Sequence, residues 1–317
     1  MTRVAVLAGG RSHEREVSLR SGHRVLTALD ARGHDATLVD PAEVPLVETL
    51  SSGGFEVCAI ALHGRDGEDG TVQRLLETLG LTYTGTAPFS CQVAFDKVLA
   101  KETLHARGIS TPPWAAVQAS ALRDLSGGAT LSAVVERVGL PAVVKPARAG
   151  SAMGLGFVER EADLPAAVMA ALSFADDAIV ESKVEGTEVA AAIVGSPLEV
   201  LPLVEIVPKS GVYDYAARYT PGATDYFTPA RLDPAAAAEA VALASSAFAA
   251  LSLRDVARAD LIVDASGAPT VLEVNVSPGM TETSLFPMAA HAAGMELPDI
   301  WDRLVVLAVE RRRQIVD

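Results

Sequence analysis

Roughly the first 90 residues alternate short apolar runs with amphipathic segments, and that order leaves few folds open. Residues 4–8 form an apolar run that breaks at Gly9-Gly10, and residues 18–31 read as a helix stopped by Gly33. Residues 37–39 and 57–62 read as buried strands, and a further helix is expected over residues 69–79 with Gly80 as its cap. Strand and helix in alternation predict an α/β unit, a parallel sheet covered by helices. Ligands of such sheets gather at the carboxyl ends of the strands.

A second unit is expected from residue 96. It opens with a helix (96–107), continues through an Ala-rich surface connection (122–132) and reaches an apolar strand that ends in Lys145. A third unit, 181–317, carries expected strands at 188–194, 200–207, 256–263 and 270–274, with helices at 235–251 and 298–311. The division is therefore 1–95, 96–180 and 181–317.

Lys and Arg number 26 against 40 Asp and Glu, a net charge of −14. An acidic surface does not suit a long nucleic-acid backbone, which wants a basic face, although a few lysines can still line a pocket for one nucleotide. Cys58 and Cys91 show no metal spacing and suggest no disulfide scaffold, which fits a reducing cytoplasm. The start of the chain runs at once into a strand and turn and does not read as a signal peptide. No run approaches the roughly 20 apolar residues of a membrane span.

The densest chemistry lies at residues 272–281. Glu273 and Asn275 are two apart on an expected strand end and so project to one face. Asp260 sits on another expected strand beside Arg258. Three oxygen ligands next to an arginine suit Mg²⁺ meeting nucleotide phosphates. The glycine-bearing loop 150–156 follows Lys145, and small residues let backbone N–H groups approach phosphate oxygens. That loop is neither a P-loop nor a dinucleotide fingerprint. In residues 178–188, Glu181 and Glu188 can accept from ribose hydroxyls, while backbone near Lys183 and Val184 can read an adenine edge. In loop 9–18 a helix N-terminus favours an anion, or Glu14 grips a substrate ammonium. His63, in loop 62–70, is a proton-handling group or a structural one. The tyrosine-dense segment 213–219 has the make-up of a lid.

Eight stretches in order, GGRSHEREVSLRSG, ALHGRDGEDGTVQ, YTGT, FDK, VVKPARAGSAMG, YDYAARY, ARADLIVD and LEVNVSPGMTETSLFPMAA, resemble the D-alanine–D-alanine ligases of the ATP-grasp superfamily. The resemblance covers nearly the whole chain. It implies an α+β molecule overall: the N-terminal parallel α/β unit plus two α+β subdomains enclosing ATP. It also implies roles. Lys97, Lys145, Ser151, Arg218 and Asn275 would contact ATP or its phosphates, and Glu181, Lys183, Val184 and Glu188 would hold adenine and ribose. Asp260, Glu273 and Asn275 would hold two Mg²⁺ ions, or Mn²⁺. Glu14, Ser151 and Tyr219 would link the N-terminal loop, the glycine loop and the lid. Glu14, His63, Arg258, Gly279, Ser284 and Leu285 would surround the amino acids, with Arg258 and the Gly279 N–H stabilising the oxyanion. A cytoplasmic homodimer acting in peptidoglycan synthesis is implied as well.

The chain departs from the family pattern at four places. The family usually has a serine at Ala152, an acidic residue at Ala149, lysine at Arg218 and a lysine–aromatic pair at Ser182-Lys183. Ala152 keeps its backbone N–H for a phosphate. Tyr219 is retained, which favours an amide over an ester product. The departures leave open a related carboxylate–amine ligase with another acceptor. A nucleotide-binding protein without catalysis is disfavoured, because Arg258, Asp260, Glu273 and Asn275 are all present.

Overall fold

The alternation in the first unit folds into β1 (Arg3–Leu7), α1 (Arg15–Ala31), β2 (Asp35–Val39), α2 (Leu46–Ser52), β3 (Val57–Ile60), α3 (Thr71–Thr78) and β4 (Thr82–Tyr83). The computed structural model describes residues 1–125 and 127–316, the side chains of Tyr219 and of residues 313–316 excepted. The four strands pair in parallel in the order β2-β1-β3-β4. Val4 and Val6 of β1 pack towards α1, while Ala5 and Leu7 pack towards Leu50 and Leu76. A central parallel strand is apolar on both faces for this reason. Helix α1 starts three residues earlier than expected. Helix α3 starts two residues later, after Gly70 at φ 86°, and the Asp69 carboxylate accepts from the Thr71 N–H at 3.0 Å. Gly80, at φ 66°, ends α3 as expected.

The second unit contains α4 (Pro88–Phe95), α5 (Lys97–Ala106), β5 (Trp114–Gln118), α6 (Ala119–Asp124), α7 (Gly127–Val138), β6 (Ala142–Pro146), β7 (Gly156–Val158), α8 (Leu164–Leu172) and β8 (Asp177–Ser182). Asp96 caps α5, accepting from the N–H groups of Val98 and Leu99. The strands form an antiparallel sheet in the order β5-β8-β6-β7. Ala142, Val144, Ala178 and Val180 pack on Val134, Leu164 and Val168 of the helices, so Lys145 and Glu181 point away from that core. The 122–132 segment, expected as a connection, is largely helical in α6 and α7; residue 126 lies outside the described residues. Alanine-rich composition favours helix, and Val134 of α7 adds an anchor to the sheet that the local pattern did not show. Strand β8 runs through Glu181 to Ser182, across residues 180 and 181.

The third unit contains β9 (Thr187–Val194), β10 (Glu199–Val200), β11 (Val204–Pro208), α9 (Tyr215–Tyr219), β12 (Thr224–Phe227), α10 (Pro234–Ala250), β13 (Val256–Val263), β14 (Pro269–Asn275), α11 (Leu285–Ala292) and α12 (Leu297–Val316). The strands form an antiparallel sheet, β12-β11-β9-β13-β14, with β10 paired to β9. The single strand expected over 200–207 is split into β10 and β11 around Pro202, because proline has no N–H for a ladder. Val189, Ala191, Ile193, Ala259 and Leu261 pack on the small face of α10, whose Ala240, Ala244 and Ala247 allow close approach. Each fully buried Ile or Leu contributes about 1.5–3 kcal/mol. Ala190, Ala192 and Val194 on the opposite face join Val6, Phe286 and Trp301, which ties this sheet to the first unit.

One irregularity aims the chemistry. In the β13–β14 ladder Asp260 faces Glu273, but Leu261 faces Val271, so Leu272 is an extra residue on β14. Without this bulge, strict alternation would put Val271 on the face of Glu273 and Asn275. With it, Val271 and Val274 are in the core while Glu273 and Asn275 face cavities.

Candidate active site

A cavity of about 230 Å³ lies between the two antiparallel sheets. Lys145 and Glu181 stand on the wall made by β6 and β8, and Glu188, Asp260 and Glu273 on the wall made by β9, β13 and β14. Lys97, Lys183 and Val184 also line it. A smaller cavity of about 80 Å³ is lined by Glu14, His63, Ser151, Arg258, Gly279 and Ser284, with Leu285 and Asn275 at its edge. Tyr213 and Arg218 line both cavities, so the two adjoin there. Every site residue expected from sequence lies on one wall or the other, except that the side chain of Tyr219 lies outside the described residues.

The electrostatics of the larger cavity are uneven. Burial alone would raise the Glu273 carboxyl, but Lys97, Lys145, Arg218 and Arg258 bring it down to about 2. Lys97 Nζ is 3.5 Å from Glu273 and donates to the Ala149 carbonyl at 2.6 Å, which couples it to the glycine loop. Glu188 is different: burial pushes its carboxyl up to about 7, with Arg218 only partly opposing. Arg258 donates twice to Asp260, at 2.7 and 2.8 Å, and Asn275 Nδ2 reaches Asp260 at 3.2 Å. Although burial works against it, Asp260 keeps the Arg258 guanidinium above its ordinary range. Arg218 sits over the Tyr213 ring, 4.4 Å from the centroid, and its buried Nε has no hydrogen-bond partner among the described residues.

These groups can hold a hard cation. Carboxylate and carboxamide oxygens are the donors that Mg²⁺ accepts. Asp260 and Glu273 are cross-strand partners, and Asn275 touches Asp260. Among the described residues no three His, Cys, Asp or Glu gather as a ligand set. The carboxamide and outside oxygens are therefore needed to complete a shell.

The smaller cavity is assembled from loops. Ser151 Oγ donates to Glu14 in a short contact, which joins the glycine loop to the N-terminal loop. Neither Gly64 nor Gly150 has room for a side chain: an added Cβ would lie 2.5 Å and 2.7 Å from the Glu14 carboxylate. Burial raises the Glu14 carboxyl, and the charge of Glu68 adds to the effect. His63 contacts the Ser277 carbonyl through Nδ1 at 3.1 Å and Ser21 Oγ through Nε2 at 2.8 Å. A carbonyl only accepts, so Nδ1 carries a proton and donates to Ser277. Thr281 N–H donates to Ser284 Oγ at 3.0 Å, and a Cβ at Gly279 would meet that hydroxyl at 2.8 Å. Ser284 therefore packs directly against the Gly279 backbone, where a side chain would displace it.

Two departures gain a structural meaning. Ser151 and Ala152 both lie at positive φ, 52° and 54°, a conformation unusual for residues with a Cβ. The Lys183 N–H donates to the Pro141 carbonyl at 3.0 Å, so an adenine edge would be met by Val184 and the Lys183 carbonyl. Sequence reasoning missed Lys101, Glu68 and Ser21. Lys101 is 1 % exposed beneath the cavity wall, and its spacing of four from Lys97 on one helix was the available signal. Glu68 and Ser21 become visible only when the loops meet around His63.

The comparisons agree with this geometry. Residues 103–306 match the family model described as D-ala D-ala ligase C-terminus. A D-alanine–D-alanine ligase of Pelotomaculum thermopropionicum is 44% identical over 309 residues, which cover 97% of each chain. The crystal structure of the D-alanine–D-alanine ligase of Bacillus anthracis complexed with ATP superposes with a TM-score of 0.82 at 26% identity, over 100% of both chains. VanG D-Ala:D-Ser ligase of Enterococcus faecalis gives a TM-score of 0.83 at 26% identity, covering 97% of this chain and 99% of its own. Two antiparallel sheets closed on a shared cavity, with a parallel α/β unit beside them, form the ATP-grasp fold. The chain belongs to the D-alanine–D-alanine ligase family.

Proposed function

We propose that this chain joins two D-alanines into D-alanyl-D-alanine with conversion of ATP to ADP and phosphate, through an acyl phosphate, for peptidoglycan precursor synthesis in the cytoplasm. One observation carries this reading: Asp260 and Glu273 of the larger cavity meet Arg258 and Asn275 of the smaller one, with Asp260 accepting from both. A nucleotide in the larger cavity would present its terminal phosphate there to a carboxylate in the smaller one.

A carboxylate is a poor electrophile at neutral pH, and a phosphoryl group supplies it with a leaving group. Lys97, Lys145 and Arg218 neutralise the phosphates; the Arg218 Nε, without a partner among the described residues, supports its share. Glu181 and Glu188 take the ribose hydroxyls, and Lys183 and Val184 the adenine. Asp260, Glu273 and Asn275 would hold magnesium, two ions in our reading, whose positive charge screens the transferring phosphoryl group. Glu14 and His63 orient the amino acid that becomes activated, and Ser284 and Leu285 bound the acceptor. When the amine attacks, Arg258 and the Gly279 N–H stabilise the oxyanion, worth about 3 kcal/mol per donor in comparable sites. The segment from Tyr213 to Tyr219 excludes water that would otherwise hydrolyse the acyl phosphate.

The same reading divides the chain at 1–95, 96–180 and 181–317 and makes the protein a homodimer. The exposed Phe89 and Leu99 on the contacting helices α4 and α5 are side chains that a second copy would cover. Among the described residues no helix is long and apolar enough to cross a membrane. The likeness to a D-Ala:D-Ser ligase gives a second reading, a different acceptor amino acid. Phosphate release and product mass, measured with D-alanine alone and with D-serine or D-lactate added, test both. D-alanine-dependent release with the dipeptide as main product supports the first. Release only with another acceptor replaces it by the second.

A further inference from the structure

Lys101 lines neither cavity, yet it reaches the wall of the larger one from behind. Its Nζ is 3.1 Å from Glu181 Oε1 and donates to Thr111 Oγ1 at 2.5 Å. Lys145 holds the other carboxylate oxygen, Oε2, at 2.7 Å. Glu181 is itself 2 % exposed. One buried carboxylate therefore has two lysines, one on each oxygen. Lys145 faces the cavity, and Lys101 does not. Among the described residues Oε1 makes no well-aligned hydrogen bond, and the Lys101 contact is chiefly one of charge on charge.

An unpaired charge in the interior is strongly unfavourable. With Lys145 as sole partner, Glu181 would compete with any phosphate for that ammonium, because the departure of Lys145 would strand the carboxylate. A second cation behind the wall removes the competition. Lys97 and Lys101 come from the same helix, four residues apart, one into the cavity beside Glu273 and one behind it.

We propose that Lys101 is a positioning residue for nucleotide binding: it holds Glu181 from behind the cavity wall, so that Lys145 can turn to a phosphate without stranding the carboxylate. The inference rests on the reading of Lys145 as a phosphate ligand.

The test is calorimetric titration of the full chain with a non-hydrolysable ATP analogue and magnesium, together with steady-state ATP kinetics at saturating D-alanine. Lys101→Met should raise the analogue Kd and the ATP KM by about tenfold to a hundredfold, with kcat changed by less than about threefold. The double variant Glu181→Gln/Lys101→Met should bind no more weakly than Glu181→Gln alone, since the charge to be neutralised is gone. Affinity and KM within about twofold of wild type in Lys101→Met, or losses that simply add in the double variant, overturn the inference. If Lys101→Met does not fold, Thr111→Val decides, because it keeps the lysine and loosens it: a rise of about two- to fivefold in Kd supports the inference and no change overturns it. Lys145→Met is the control for the underlying reading. If it loses affinity while Lys101→Met does not, only the inference fails. If it binds the analogue normally, the phosphate reading fails and the inference with it.

Discussion

The larger cavity is built mainly on strands and the smaller one mainly on loops, with Arg258 of β13 and Asn275 of β14 reaching into it. Lys145, Glu181, Glu188, Asp260 and Glu273 stand on strands whose opposite faces are packed on α7, α8 and α10. Their directions are set by the pleat before any ligand arrives. Glu14, His63, Ser151 and Gly279 come instead from separate loops, and they are held by contacts from loop to loop and to α1: Ser151 to Glu14, and His63 to Ser21 and the Ser277 carbonyl. The strand-built half is ordered by the core; the loop-built half is ordered only while the units meet. Nucleotide binding should therefore tolerate damage to the loops, and chemistry should not.

The largest expected effect is at the seam between the halves. Glu273→Gln should lower kcat by about a thousandfold or more with the fold retained, since the side chain lies at a cavity wall and outside the core clusters, and with a lower melting temperature at neutral pH, since the attraction of Lys97, Lys145, Arg218 and Arg258 for the carboxylate is lost. Near-wild-type turnover would show that the cation site has been placed wrongly. Next, Ser151→Ala removes the hydrogen bond that ties two loops together. It should cost about tenfold to a hundredfold in kcat with nucleotide affinity held within about threefold. A loss of affinity as large as the loss of kcat would erase the distinction between the halves. Tyr219→Phe should act in the same direction but more weakly, lowering kcat by about three- to tenfold while leaving nucleotide Kd nearly unchanged. A change confined to Kd would remove the lid from the account.

The smallest effect sharpens a contrast inside the strand-built half, where Glu273 is held at about 2 and Glu188 is pushed up to about 7. Between its ordinary 4.5 and about 7, Glu188 keeps its proton in the folded chain and loses it in the unfolded one. Stability must then fall as pH rises through that window and stay reduced above it. Glu188→Gln removes this dependence. Relative to wild type, the variant should gain on the order of 1–3 kcal/mol between pH 4.5 and 8, read from urea melts without nucleotide. A constant difference across that range would mean that Glu188 is ionised throughout.

The same division governs what could be read from the chain. The parallel unit was legible because β1 is apolar on both faces and its turns carry Gly9-Gly10 and Gly80. Glu273 and Asn275 were legible as neighbours on one face because strand period is local. The bulge at Leu272 was not, since it depends on which residues of β13 the strand meets. Pro202 could have announced the break between β10 and β11, but the apolar run around it masked the missing donor. The helices α6 and α7 were passed over because the anchor of α7, Val134, is meaningful only against a sheet that forms elsewhere. Lys101 escaped notice because lysines are rarely buried, and nothing local reveals that Glu181 waits across the fold. Ser21 and Glu68 belong wholly to the loop-built half and needed the assembled molecule.

The central claim is that Asp260, Glu273 and Asn275 act together on a divalent cation that bridges a nucleotide triphosphate. Titrating the protein with a non-hydrolysable ATP analogue, in magnesium and in its absence under chelation, tests this most directly. The analogue should bind at least about tenfold more tightly with magnesium, and that gain should vanish in Glu273→Gln. Equal affinity with and without the metal would contradict it.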